Sequence, residues 1–158
     1  MPITIRPARH EELYRVNEPR RMVNDLHVTG RPTHFKPGFA PELQGYLAEQ
    51  YSHPERFSVL VAMDGEEIAG FAVVQYVHRS EGPYTLPLDF YHAEEFGVDA
   101  AHRRRGVATA LVAYMKGDAK ARGFTRLDLD VWAFNDSALA FYEAAGFTTY
   151  RRYMELEV

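Results

Sequence analysis

Residues 90–108 constrain the fold of this chain most. In this stretch a strand-like sequence is followed by a basic turn and then by the start of a helix. Phe96 and Val98 alternate with Glu95 and Gly97, the period of two expected of a strand. Consecutive arginines follow, and a helical period of apolar residues begins directly after them. The first amide groups of a helix lack intrahelical partners and lie at the positive end of its dipole. The stretch therefore predicts a cradle for a pyrophosphate group.

Gly106 lies between the arginines of this turn and the helical period that Val107, Leu111 and Tyr114 define. A glycine has no Cβ, so another backbone or a phosphate can approach it closely. The same residues are also compatible with a solvated arginine-rich turn that opens an ordinary helix. On this stretch alone, both interpretations stay open.

The order Arg103-x-x-Gly106-x-Ala108 resembles the Arg/Gln-x-x-Gly-x-Gly/Ala signature of the GNAT superfamily of N-acetyltransferases. In that family the backbone of the loop holds the pyrophosphate of acetyl-coenzyme A (acetyl-CoA). The family often carries glycine where Ala108 stands, and alanine is also accepted there. The resemblance implies that the predicted cradle serves acetyl-CoA.

A second stretch, at residues 132–147, resembles another part of the same family. The family has an asparagine at a strand end, followed by the pattern Asn-x-x-Ala-x-x-Phe-Tyr-x-x-x-Gly-Phe. Every position of that pattern is present here, as Asn135, Ala138, Phe141, Tyr142, Gly146 and Phe147. Two motifs in the expected order are far more specific than either motif alone.

The remaining sequence predicts further strands around the opening stretch. Apolar, β-branched runs at 57–63 and 68–77 predict two strands, and Asp64-Gly65 between them is a strong hairpin signal. A short strand precedes Pro7, residues 125–132 alternate as a strand, and 147–150 and 153–158 are predicted to close the chain as strand.

The helices are predicted from apolar spacing and from end signals. Residues 13–26 have helical spacing, and Pro19 predicts a kink or two helices that meet near Glu18. A second helix is expected after Ala40, with Pro41 at its first position. A third runs from Gly106 to about residue 122, and a short fourth follows residues 135–137.

This order of elements resembles the GNAT fold over nearly the whole chain. The resemblance implies an α/β (α+β) protein with a mixed, mostly antiparallel central sheet and helices on both faces. We expect one acetyltransferase domain over residues 1–158, because the sequence shows no repeat, low-complexity segment or domain boundary.

Composition excludes several classes of function. The formal net charge is −4, which argues against nucleic-acid binding through the three arginines. The chain has no cysteine, so disulfides and a cysteine nucleophile are excluded, and no histidine pattern predicts a metal site. No apolar run approaches membrane-spanning length and residues 1–4 do not resemble a signal peptide, so we expect a cytoplasmic protein without a membrane partner.

Catalytic roles follow from the resemblance and from acid–base chemistry. The resemblance places Tyr142 near the sulfur of acetyl-CoA, where its phenol could protonate the departing thiolate. Direct transfer requires a neutral amine, and Glu94 and Glu95 are the candidate bases, with His92 two residues earlier. Regular alternation would place Glu94 on the face of Phe96, with Glu95 on the other face unless a bulge intervenes. Salt bridges from these carboxylates to the arginine turn are the alternative.

The resemblance also implies which residues bind acetyl-CoA. Asn135 would hydrogen-bond the pantetheine arm or a water molecule, although capping of the following helix is a rival role. The predicted set comprises Phe96, Gly97, Val98, Arg103, Arg104, Arg105, Gly106, Val107, Ala108, Thr109, Asn135, Ser137 and Tyr142.

The predicted activity is acetyl-CoA-dependent acetylation of a primary amine. The predicted acceptor is a small molecule, such as a polyamine or an amino acid, or it is a peptide. The five residues Glu94–Val98 resemble the segment that carries an acidic pair in polyamine and thialysine acetyltransferases. The alternative is a non-catalytic CoA-binding regulatory module on the same fold. The alternating C-terminal segment also predicts a homodimer.

Overall fold

A computed structural model describes residues 2–158; Met1, the first residue of the predicted domain, lies outside the described residues. A sheet runs through the molecule in the order β1-β2-β3-β4-β5, antiparallel except for the parallel pair β4–β5. The predicted mixed, mostly antiparallel sheet is therefore confirmed. Its strands are β1 (Ile3–Pro7), β2 (Phe57–Asp64), β3 (Glu67–Arg79), β4 (Leu88–Val98) and β5 (Leu127–Leu129).

Helices cover both faces of this sheet. They are α1 (Leu13–Gly30), α2 (Pro41–Tyr51), α3 (Val107–Ala121) and α4 (Asp136–Ala144), with 3₁₀ turns at His10–Glu12 and Ala100–His102. Side chains of α1 and α2 pack with one set of strand residues, and those of α3 and α4 pack with the alternate set. Over residues 2–158, no helix combines the length and apolar character that crossing a membrane requires.

Of the two alternatives predicted at Pro19, a kink or two helices that meet near Glu18, helix α1 excludes the second. It is continuous from Leu13 to Gly30 and contains Pro19, which is itself buried. A proline inside a helix removes one backbone hydrogen bond and costs about 3 kcal/mol. Burial of the surrounding face, including Val16 at 0% exposure, offsets that cost. The helix start at Pro41 is confirmed, with Ala40 as its N-cap.

The C-terminal segment corrects a second prediction. Residues 147–158 form no strand, and from Thr148 onward the segment makes no backbone–backbone hydrogen bond with residues 2–158. The strand predicted at 125–132 is also shorter, because only Leu127–Leu129 pairs with β4. An alternating sequence forms a strand only where a neighbouring backbone supplies hydrogen bonds, and this segment has no such neighbour here.

Candidate active site

The site begins where β4 and β5 stop pairing. Their parallel ladder ends at the pair Ala93 and Leu129, while β4 continues to Val98. No strand among residues 2–158 pairs with that side of β4 beyond this point. The backbone of 94–98 therefore presents an open edge, which can bind an extended ligand as a sheet binds an added strand.

A β-bulge sits at the same place. On β3, Val73 lies opposite Glu95 and Val74 lies opposite Ala93, so Glu94 is the extra residue on β4. Phe96 and Val98 pack in the core on the α3 side. Both carboxylates instead contact α1 or α2, so the prediction that Glu94 shares the face of Phe96 is wrong. The bulge is the reason, because it breaks the alternation at one residue.

Glu94 is an exposed residue of β4 whose carboxylate lies against α2. Gln50, whose residue is only 3% exposed, donates from Nε2 to Oε2 of Glu94 at 2.6 Å. Burial, reinforced by the charge of Glu95, raises the pKa of Glu94 above its ordinary value. A carboxylate with a raised pKa is a stronger base, and it suits removal of a proton from an ammonium group.

Glu95 is held differently. Nε of Arg20 donates to both of its carboxylate oxygens, at 3.1 and 3.2 Å. Arg20 has a side chain that is only 2% exposed and also donates to Asn17 and to the backbone oxygen of Leu43. Glu95 therefore serves as the fixed counter-ion of a buried arginine. The alternative of salt bridges between these carboxylates and the arginine turn is wrong, because Arg20 and Gln50 are their partners.

His92 belongs to a hydrogen-bonded chain that crosses from β4 to the C-terminal segment. Its Nδ1 lies 2.7 Å from Oδ1 of Asp128, the residue opposite it on β5. The hydroxyl of Tyr150 donates to Oδ2 of the same carboxylate at 2.8 Å. The hydrogen bond with Asp128 raises the pKa of His92, and the charges of Asp130 and Glu94 act in the same direction.

Tyr142 lies on the opposite face of the sheet, against Phe96. The centroids of these two rings are 5.9 Å apart, and Phe141 and Phe147 also contact the tyrosine ring. Burial raises the pKa of Tyr142 to about 12, so the phenol stays protonated at neutral pH. It is a proton donor in an apolar setting, packed on the same strand as Glu94 but across the sheet from it.

Asn135 caps helix α4. Its Oδ1 accepts from the backbone N–H of Ala138 at 3.3 Å and lies 3.4 Å from Oγ of Ser137. The capping role considered as the rival is therefore present, and it occupies the side-chain oxygen. The amide NH₂ group of Asn135 is the part that a ligand could use.

The arginine turn has a special backbone. Arg104 and Gly106 both have left-handed φ angles, of 62° and 78°. Gly106 is the N-cap of α3, no side chain caps that end, and the first intrahelical bond runs from the N–H of Ala110 to the oxygen of Gly106. The three helix residues before Ala110 therefore have backbone N–H groups without an intrahelical partner. These N–H groups, of Val107, Ala108 and Thr109, can bind an anion.

Only part of the arginine charge is free at this turn. Arg105 pairs with Asp64 at 2.7 Å, whereas Arg103 and Arg104 are exposed. His102, just before them, is buried and lies between carboxylates, 2.9 Å from Asp99 and 3.1 Å from Glu67. These contacts fix the turn from both ends. Neither the Arg105–Asp64 pair nor the contacts of His102 were predicted from the sequence.

Two other predicted coenzyme contacts serve the protein core. Val107 is 2% exposed and packs in the core on the α3 side, so only its backbone faces outward. A Cβ atom on Gly97 would come within 2.7 Å of Val23 on α1 and 2.8 Å of Phe71 on β3. Gly97 therefore lets α1 pack closely on β4, and a ligand could contact only its backbone.

Comparison with known proteins gives this geometry its context. The model of the acetyltransferase (GNAT) family matches residues 21–147, which include the bulged strand, the arginine turn and Tyr142. The chain belongs to the GNAT acetyltransferase family. The expected class of enzyme, an N-acetyltransferase that uses acetyl-CoA as cosubstrate, is thereby confirmed.

Relatives with names extend the comparison. The chain is 31% identical over 105 residues to the ribosomal protein bS18-alanine N-acetyltransferase of Escherichia coli strain K12, covering 65% of this chain and 71% of that enzyme. A mutant of the BH1408 protein from Bacillus halodurans superposes with a TM-score of 0.88 at 26% identity, over 98% of this chain and 99% of that one.

A third comparison shows the fold alone. The aminoglycoside N-acetyltransferase AAC(6')-Iy, solved with a bisubstrate analogue, CoA-S-monomethyl-acetylneamine, has a TM-score of 0.78 at 18% identity. The alignment covers 100% of this chain and 99% of that enzyme. The GNAT fold expected from the sequence is confirmed by these neighbours.

Proposed function

We propose that this GNAT protein transfers the acetyl group of acetyl-CoA directly to a primary amine, with Glu94 as the base and Tyr142 as the acid. The observation that carries the proposal is the bulge at Glu94. It brings the Glu94 carboxylate, hydrogen-bonded to Gln50, to the point where β4 and β5 separate, while Tyr142 lies on the opposite side of the same strand segment. An amine entering from the α1–α2 side would meet the base before it meets the thioester.

The acceptor side has the charge expected of a site for a cation. Glu94 and Glu95 face α1 and α2, and Asp128 and Asp130 follow on β5 and just beyond it. Arg20 compensates one of these charges. The remaining negative charge favours an ammonium group over a neutral or anionic acceptor. We propose a polyamine, an amino-acid-like amine or a peptide N-terminus as the acceptor.

The acetyl-CoA side uses mainly backbone groups. We propose that the open edge of β4 at Phe96, Gly97 and Val98 binds the pantetheine arm. The free N–H groups at the start of α3 would bind the pyrophosphate, with Arg103 and Arg104 adding exposed positive charge. The amide NH₂ group of Asn135 is available to the pantetheine arm, and Ser137 lies beside it.

The chemistry can be followed through its bonds and protons. The ammonium gives one proton to Glu94, and the nitrogen lone pair then attacks the thioester carbonyl carbon. A C–N bond forms, the C–S bond breaks, and Tyr142 protonates the departing sulfur. The second proton of the attacking nitrogen replaces the proton that Tyr142 gave. Each turnover therefore places one proton on CoA and releases one to solvent.

An acetyl-transfer screen tests this function. Purified protein is offered acetyl-CoA with polyamines, amino acids, aminoglycosides and peptides with free N-termini, and release of the CoA thiol is followed. Turnover with one class of amine, lost in Glu94→Gln and in Tyr142→Phe, is the expected result. Binding of acetyl-CoA without turnover on any panel member supports the non-catalytic regulatory module instead. Cytoplasmic location and a single domain over residues 1–158 remain predictions.

We also propose that the protein forms a homodimer through its C-terminal segment. Tyr153, Met154 and Leu156 are 81%, 93% and 88% exposed, and the backbone of 148–158 has no backbone partner within residues 2–158. An extended segment with exposed apolar side chains and free N–H groups can add to a strand of a second copy. Light scattering at micromolar concentration is the test, and a monomer at every concentration would refute the dimer.

A further inference from the structure

The arginine turn, residues 103–105, has no backbone hydrogen bonds that would fix its shape. Within residues 2–158, no backbone N–H from Arg103 to Gly106 donates to a backbone oxygen. Arg104 also has a left-handed φ of 62°, a conformation that residues with a Cβ adopt only where their surroundings impose it. The shape of the turn therefore depends on side-chain contacts at its ends, and so does the direction in which its N–H groups point.

Asp64 contacts both ends of this turn. It is the last residue of β2, and its side chain is only 10% exposed. Its Oδ2 lies 2.7 Å from Nη1 of Arg105, the last residue of the turn. The same oxygen lies 3.7 Å from Nε2 of His102, the residue just before the turn. A single carboxylate oxygen therefore joins the entry and the exit of the turn.

The two ends of the turn differ in their other contacts. His102 has two further carboxylate neighbours, with Asp99 at 2.9 Å from Nδ1 and Glu67 at 3.1 Å from Nε2. The Arg105 side chain is 46% exposed, and within residues 2–158 its ion pair is the one with Asp64. The position of Arg105, directly before the N-cap of α3, consequently depends on Asp64.

We propose that Asp64 is a positioning residue for acetyl-CoA, which holds Arg105 so that the free N–H groups at the start of α3 face the pyrophosphate. The proposal rests on the proposed function, in which those N–H groups bind the pyrophosphate. In this role Asp64 acts through Arg105 and does not need to touch the coenzyme. A turn that is already ordered binds more tightly, because the ligand does not have to order it.

Positioning and simple electrostatics predict opposite effects of Asp64 on affinity. Acetyl-CoA carries negative charge on its phosphates, and a nearby carboxylate repels it. If charge alone mattered, neutralising Asp64 would strengthen binding and would also free the charge of Arg105. Neutralisation also weakens a charge-assisted hydrogen bond and releases the turn, so the loss of a positioning residue weakens binding instead. The direction of the change in Kd therefore decides between the two.

The test is calorimetric titration of Asp64→Asn with acetyl-CoA, with Asp118→Asn as the matched control. Asp118 pairs with Arg122 at 3.0 Å near the other end of α3, and the side chains of Arg105 and Arg122 are 46% and 45% exposed. We expect the Kd to rise about tenfold in Asp64→Asn and to stay at the wild-type value in Asp118→Asn. The ratio to wild type should persist in high salt, because salt screens charge but does not restore the shape of the turn.

Arg105→Ala tests the same contact from its exposed side, with Arg103→Ala as its control. Both substitutions remove one positive charge from the turn, but the bond to Asp64 is made by Arg105. We expect the larger rise in Kd in Arg105→Ala. Combining it with Asp64→Asn should cause no further rise, because both changes break one contact. This pair of variants decides the question even if Asp64→Asn does not fold.

Two outcomes would overturn the positioning role. One is an acetyl-CoA Kd at or below the wild-type value in folded Asp64→Asn, with or without a lower Tm, because a merely structural contact would leave affinity intact. The other is an equal rise in Kd in Arg105→Ala and Arg103→Ala. Gly106→Val keeps the two proposals apart: if it binds acetyl-CoA as the wild type does, the proposed pyrophosphate site fails. If it loses binding while Asp64→Asn does not, only the positioning role fails.

Discussion

Gln50 on α2 donates from its side-chain amide to Glu94 on β4 at 2.6 Å, and this bond joins the helix on the acceptor side to the bulge of the central strand. The neighbouring carboxylate, Glu95, is bound instead by the buried guanidinium of Arg20 on α1. Two adjacent residues of one chemical type thus receive opposite electrostatic environments. One accepts a hydrogen bond from a neutral amide and the other is neutralised by a cation, which separates their functions.

Replacing Glu94 by glutamine should remove the acid limb of the pH–rate profile. The pKa of Glu94 is raised, so wild-type kcat should fall as the pH decreases through a value above the ordinary carboxylate range. In Glu94→Gln the rate should be lower at neutral pH and recover in part at high pH, where free amine is present. A profile with an unaltered acid limb would exclude Glu94 as the base.

Glu94→Gln should preserve or raise the stability of the fold at neutral pH, although it lowers activity. A carboxyl whose folded pKa is raised contributes stability below its unfolded pKa, and that contribution is lost as the pH rises through the folded value. At neutral pH the ionised carboxylate therefore lowers stability relative to acidic pH. We expect Tm of Glu94→Gln to equal or exceed that of the wild type at pH 7, measured by circular dichroism.

Gln50→Leu tests the hydrogen bond to the base. Without the amide donor, the ionised form of Glu94 loses a favourable contact, so its pKa should rise further and the acid limb should move to higher pH. On the acid limb we expect about a tenfold lower kcat, equivalent to about one pH unit of displacement, and little change on the plateau above it. Gln44→Leu is the control, because Gln44 lies exposed on the same helix.

Glu95→Gln should affect stability more than catalysis. It leaves the guanidinium of Arg20, whose side chain is 2% exposed, without its charged partner. Removing one member of a buried pair costs about 3–5 kcal/mol, and the partial exposure of Glu95 reduces this to about 2 kcal/mol. The expected result is a lower midpoint in urea unfolding with near-normal kcat per folded molecule. A catalytic loss as large as that of Glu94→Gln would reverse the assignment of the two carboxylates.

Gly106→Val should abolish acetyl-CoA binding while the protein stays folded. A Cβ at this position meets no protein atom within 4 Å, so the substitution fills only the space in front of the α3 N-terminus. The φ angle of 78° adds backbone strain of about 1–2 kcal/mol. Gly123→Val is a matched control, with φ of 85° and the same open surroundings but beyond the other end of α3. Calorimetric titration with acetyl-CoA should show lost affinity only in Gly106→Val.

Tyr142→Phe should lower kcat by about 10²-fold and leave acetyl-CoA affinity unchanged. The substitution preserves the ring contacts with Phe96, Phe141 and Phe147 and deletes only the proton donor. Because burial raises the pKa of Tyr142 to about 12, its ionisation should produce no limb below about pH 10 in the wild type. Single-turnover thiol release measures the chemical step directly, and a wild-type rate there would remove Tyr142 from the mechanism.

The part of the site that is local in sequence could be predicted. Strand, arginine turn and helix start follow one another within residues 90–108, so periodicity and end signals were sufficient to identify them. The polar partners could not be predicted in the same way. Gln50 lies 44 residues from Glu94, and Arg20 lies 75 residues from Glu95. In the sequence of an amphipathic helix, polar residues such as Gln50 and Arg20 are expected to face solvent. Only the fold shows that they contact the sheet.

The prediction of a C-terminal strand was wrong for a different reason. Tyr153, Met154 and Leu156 stand among charged residues in an order that also suits a paired strand. Sequence alternation describes which side chains a strand would turn to each face, but pairing depends on an available edge. Within residues 2–158 no edge pairs with this segment. The pattern therefore predicted a strand that has no pairing partner among residues 2–158.

The bulge at Glu94 has a consequence for recognising this kind of site in other sequences. The core residues of β4 on the α3 side are Tyr91, Ala93, Phe96 and Val98, with spacings of two, three and two. A regular strand keeps a spacing of two throughout. One step of three inside an apolar strand is therefore a signal, readable in the amino-acid order, of where the displaced residue lies. Deleting one residue there would restore even spacing and remove the extra position from which Glu94 reaches α2.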